Sequence, residues 1–123
     1  MTSEADPPVD ATHIADLIAL DHGKGAVFAR FVDVFVARMP QRVAELNAYA
    51  GSGDLENLSE GAHSLRGAAG NLGAFRLAVL LGRIEAAGRT GDAAAARESL
   101  ALLEAEYDAA RAALIAAAAK LGN

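Results

Sequence analysis

Within the stretch Asp54–Ala74, DLENLSEGAHSLRGAAGNLGA, the residues up to about Leu72 read as one amphipathic helix with an unusual outer face. At about 100° per residue, Leu55, Leu58, Ala62, Leu65, Ala69 and Leu72 fall on one side, the side that must be buried against other elements. His63 projects roughly opposite, among Glu56, Ser59, Glu60, Arg66, Gly67 and Gly70. A glycine inside a helix costs about 1 kcal/mol relative to alanine. Gly67 and Gly70 lie off the apolar side, so packing does not explain them. A cleared surface does: without side chains there, another protein can come down onto the imidazole.

Working outward, Asp54 is an N-cap residue and Gly73 stands near the helix end. Upstream, Lys24 to about Ala50 carries a stripe of Phe28, Phe31, Val32, Phe35, Met39, Val43 and Leu46. Pro40 inside that segment predicts a kink or brief break, because it lacks a backbone donor and crowds the preceding turn. A shorter helix is predicted from about Ala11 to Leu20, ended by Asp21-His22-Gly23. Downstream, Arg76–Arg89 and a helix capped by Asp92 and reaching about Leu121 complete the set. Short links make consecutive helices antiparallel. The expected fold is therefore all-α: an up-down-up-down four-helix bundle with a short additional N-terminal helix. Residues 1–10 are expected to form a flexible N-terminus ahead of a domain at 11–121.

Composition narrows the function. The 123 residues fit one domain, and the absence of cysteine removes disulfides, thiolate zinc sites and cysteine nucleophiles. A net charge of −5 with scattered arginines argues against nucleic acid, whose binding needs clustered positive charge. The longest apolar stretch without a charge, Ala112–Ala119, falls far short of the ~20 residues of a membrane span. The acidic, proline-bearing first ten residues do not read as a signal peptide. A soluble cytoplasmic monomer with no membrane contact is expected, since one chain can close the bundle.

His63 suits phosphoryl chemistry. A free imidazole has a pKa near about 6.5 and is largely neutral at cellular pH, with a nitrogen lone pair able to attack phosphorus. Arg66, at i+3, can reach the phosphoryl oxygens, while Glu56 and Glu60 oppose them. That weak net field suits a transient carrier. Other chemistries lack support: His13, His22 and His63 share no metal-ligand spacing, so no metal is expected, and Ser64 has no glycine-flanked nucleophile elbow. On the Lys24–Met39 segment, Val27, Phe31 and Val34 widen the apolar stripe toward one flank, and Val34 is expected to border the His63 face.

The run Ala62–Ala74 resembles the signature of histidine-containing phosphotransfer (HPt) domains, matched here by His63, Leu65, Arg66, Gly67, Leu72, Gly73 and Ala74. The Phe28-Phe31-Phe35 segment, Gly53-Asp54, Ile84-Glu85 and Gly88 extend the resemblance over about Ile14 to Ala119. It implies a phosphorelay carrier that accepts a phosphoryl group on His63 from a sensor or hybrid histidine kinase or a receiver domain. It passes the group to a response-regulator receiver aspartate. It also implies no kinase catalysis and no cofactor of its own, the Mg²⁺ belonging to the receiver. Arg66 stands where lysine is commoner, offering a planar fork in place of a point charge. A sensor-kinase dimerisation hairpin is the nearest alternative, but Ser64 follows the histidine and no proline follows Pro40. A second is an interaction module that binds a receiver or kinase without phosphoryl transfer.

Overall fold

The structure, a computed structural model, describes residues 6–20 and 22–122. Helices α1 (Ala11–Ala19), α2 (Ala26–Ser52), α3 (Leu55–Asn71), α4 (Phe75–Thr90) and α5 (Ala93–Ala119) follow in order, with a 3₁₀ turn at Lys120–Gly122. Helices α2 to α5 pack in a ring, each against its sequence neighbours and α5 back onto α2, while α1 leans on α2. This is the expected bundle. Leu58, Ala62, Leu65 and Ala69 of α3 are buried against Leu77, Leu81 and Ile84 of α4, Leu103 and Leu114 of α5, and Phe28, Val32 and Met39 of α2. Truncating one such leucine to alanine costs about 2–5 kcal/mol.

The caps follow the sequence. Asp54, Asp92 and Asp10 each accept a hydrogen bond from the backbone N–H three residues on, at Asn57, Ala95 and His13. Gly53 and Gly91 end α2 and α4 in the left-handed conformation that glycine adopts without strain.

The structure bears on three expectations. Helix α2 runs through Pro40 without a break. Pro40 leaves the carbonyl of Val36 without its helical donor, and the Tyr107 hydroxyl of α5 donates to that oxygen at 3.2 Å. A neighbouring helix supplies what the proline removes. Phe31, placed on the buried stripe by periodicity, is 53% exposed. Of the expected flexible N-terminus, residues 1–5 lie outside the described residues, as does Asp21 of the expected helix break. Residues 6–10 are docked: Arg76 Nη1 donates to the Asp6 carbonyl, the Asp10 N–H donates to the Gly73 carbonyl, and Val9 packs on the core.

Candidate functional site

Ala62 and Leu65 anchor the inner face of α3, which turns the intervening His63 outward with its side chain 65% exposed. Helix α4 comes unusually close at this level. A Cβ on Gly88 would lie 2.8 Å from the Leu55 carbonyl oxygen and 3.0 Å from the Ser59 Cβ, so only glycine permits the approach. The Ser59 hydroxyl then donates to the Glu85 carbonyl at 3.0 Å. This contact sets the Glu85 side chain, buried on α4, directly beneath the imidazole.

Glu85 gathers three partners. His63 Nδ1 stands 2.9 Å from Oε2, Arg89 Nη2 donates to the same oxygen, and Arg66 Nε lies 3.2 Å from Oε1. The Arg66 approach is an ion pair without hydrogen-bond alignment, which leaves Oε1 buried with no hydrogen bond. An ionised carboxylate only accepts. In a neutral ring, the short Nδ1 contact to a carboxylate calls for the proton on Nδ1, which leaves the lone pair on Nε2. Arg66 Nη2 also lies 3.3 Å from Nδ1, a contact that Nδ1 cannot accept while it carries the proton. Nε2 lies on the edge of the ring away from Glu85.

The other residues picked out in the sequence sort into two groups. A Cβ added at Gly67 or Gly70 would meet nothing within 4 Å, and neither has a positive φ, so both leave open space beside His63 without a backbone reason. Glu60 is exposed and, with Ser59, His63, Glu85 and Arg89, lines an open groove of about 520 Å³ between α3 and α4. Ser59, expected on the approach surface, is half-buried, and its hydroxyl is engaged in holding α4. Val34 is 43% exposed and lines a second groove, of about 310 Å³, with Phe31, Leu65, Ala68 and Ser64. Ser64 adjoins His63 in sequence, so the two grooves flank the same turn of α3.

Sequence reading missed Glu85 and Arg89 as site residues. A signal was present: Glu85 sits four residues after Leu81, beside Ile84, on the apolar stripe of α4. A carboxylate at a core position calls for partners. His13 lies elsewhere, with its Nε2 2.9 Å from the Asn71 carbonyl at the end of α3. Among the described residues, no three of His, Cys, Asp and Glu come together as metal ligands.

The Hpt domain family model matches residues 30–113, more than half of the chain. The chain belongs to the Hpt domain family. Its fold is similar to the crystal structure of histidine-containing phosphotransfer protein B (HptB) from Pseudomonas aeruginosa PAO1. That match has a TM-score of 0.83 and 25% sequence identity, and covers 94% of this chain and 98% of that one. No curated protein sequence matches the chain. This Hpt domain is a histidine phosphotransfer carrier of two-component phosphorelays, not a catalytic kinase domain. Hpt domains interact with receiver domains and histidine kinases in such relays. Among the described residues, no helix is long and apolar enough to cross a membrane.

Proposed function

We propose that His63 is the phosphoryl carrier, that it exchanges the group with receiver aspartates, and that Glu85 keeps it ready for transfer in both directions. The observation that supports this most is the Nδ1 contact of an exposed His63 with a buried carboxylate. In the accepting step the Nε2 lone pair attacks the phosphorus of an aspartyl phosphate. The P–O bond breaks and the aspartate carboxylate leaves with its electron pair. The ring, still protonated at Nδ1, becomes a phosphorylated imidazolium whose positive charge faces Glu85. In the donating step a receiver aspartate oxygen forms the new P–O bond, the P–N bond breaks, its electrons return to Nε2, and neutral imidazole departs without any proton having moved. A ring lacking the Nδ1 proton would have to leave as an anion. Holding that proton is what makes the histidine a relay.

Arg66 assists by offering guanidinium donors to the phosphoryl oxygens from the same face of α3. Gly67 and Gly70 clear the approach. The groove with Val34 and Phe31 gives the receiver an apolar seat on the α2 flank of α3, and Ser59 and Glu60 border the groove on the α4 flank with His63. Mg²⁺ is supplied by the receiver, and the chain acts as a carrier without an enzymatic activity or cofactor of its own. A cytoplasmic monomer fits the closed four-helix ring.

The test is transfer from a panel of labelled, phosphorylated receivers and kinases to wild type and His63→Gln. Acid-labile, base-stable label on wild type alone is the expected result. Label that persists on the variant would mean that another residue carries the phosphoryl group. Equal binding of both proteins without any label would favour an interaction module.

A further inference from the structure

We propose that Arg89 is the second cation of the phosphoryl site, and that Glu85 holds its guanidinium in reserve until the phosphoryl group arrives on His63. This rests on His63 being the carrier.

Three observations converge on it. First, Arg89 and the His63 ring are bound to the same oxygen, Glu85 Oε2, so the guanidinium lies within two hydrogen-bond lengths of the ring. Second, Arg89 is the cation that lines the groove into which His63 opens, whose other charged lining groups are Glu56, Glu60 and Glu85. A phosphoryl group, carrying roughly two negative charges, would meet three carboxylates there with one guanidinium to offset them. Third, two guanidiniums already converge on the one buried carboxylate, so Glu85 keeps a partner when Arg89 leaves it.

The side chains differ in their freedom. Arg66 reaches from α3 to Glu85 on α4, and its Cδ lies over the bare backbone of Gly82. The Arg89 side chain is 68% exposed and has several further N–H donors to offer. On phosphorylation the imidazolium that forms takes over as partner of Glu85. Arg89 then swings from the carboxylate to the phosphoryl oxygens, and Arg66 approaches from the opposite side. Glu85 is thus a shared counter-ion, exchanged between guanidinium and imidazolium as the group comes and goes.

The consequence is thermodynamic. Arg89 lowers the free energy of the phosphorylated state, so it sets how the label divides between this protein and a receiver. The full-length chain and a receiver that donates to it are brought to phosphoryl equilibrium, and the fraction of label on each is measured. Arg89→Gln is expected to shift that partition toward the receiver by about three- to tenfold, and Arg89→Lys to recover most of it.

Repeating Arg89→Gln in a Glu85→Gln background separates direct contact from mere positioning. A shift of similar size there means that Arg89 touches the phosphoryl group. Disappearance of the shift means that it acts only through Glu85 and overturns the proposal. An unchanged partition for Arg89→Gln, alongside a shift for Arg66→Gln, overturns it as well and leaves His63 as the carrier. Label retained by His63→Gln would instead sink the reading on which the proposal stands.

Discussion

Helices α2 and α3 each carry residues that an α-helix ordinarily rejects, and the two treat the cost in opposite ways. In α2, Pro40 strips the Val36 carbonyl of its donor, and Tyr107 reaches across from α5 to replace it. In α3, Gly67 and Gly70 lower helix stability, and nothing packs against the space that they leave. A compensated defect is a feature of architecture. An uncompensated one, beside an exposed histidine in contact with a buried carboxylate, is what the proposed docking of a receiver requires.

The strongest way to break this comparison is to fill the open space. Gly67→Leu is expected to slow phosphoryl transfer by about 100-fold, since a small displacement of reacting groups has effects of that size. Its thermal stability should equal or exceed wild type. Rapid transfer by a stably folded Gly67→Leu protein would remove the glycine from the docking surface.

A third glycine gives the opposite result. Gly88→Ala would force a Cβ to within 2.8 Å of the Leu55 carbonyl, and overpacking of this kind costs about 1–3 kcal/mol. Urea denaturation should show the loss, with transfer impaired through displacement of Glu85.

Next comes the repair itself. Tyr107→Phe leaves the Val36 carbonyl unsatisfied and should destabilise the fold by about 1–2 kcal/mol without altering transfer. In a Pro40→Ala background, which restores the backbone donor, the same change should cost markedly less. Equal costs in both backgrounds would sever the link between Tyr107 and Pro40.

Tyr107 also gives an alkaline signature. Burial raises its phenol above the ordinary value, with Arg111 opposing and Asp108 adding. The folded state therefore holds that proton more tightly than the unfolded chain. Its contribution is complete below pH ~10 and is lost as the pH rises toward the folded value. Stability-against-pH curves of wild type and Tyr107→Phe should converge in that range.

The smallest effect is the gain from Gly67→Ala or Gly70→Ala, each about 1 kcal/mol more stable. Transfer by these variants should slow by less than in Gly67→Leu. A loss of stability in either would show a packing role that the open space around both glycines does not predict.

Much of the site was legible along the chain. His63, Arg66, Gly67 and Gly70 lie within eight residues, and helical periodicity alone puts them away from Leu58, Ala62, Leu65 and Ala69. Glu85 was not legible as a partner, because it lies 22 residues away on the next helix. Only the close α3–α4 approach at Gly88 brings it under the ring. Phe31 belongs to the apolar stripe of α2 by spacing, yet its exposure depends on how far α3 reaches across that stripe.

The sequence by itself determined the helices, their Asp caps and glycine stops, and the cleared face around one histidine, because these depend on the 3.6-residue period and on local backbone chemistry. Tertiary structure decided which nitrogen of His63 meets a carboxylate, where Arg89 goes, how α2 survives Pro40, and that residues 6–10 are docked. Each of these depends on a group from another element arriving within hydrogen-bond distance, and that distance is set by packing between helices, which no single helix encodes.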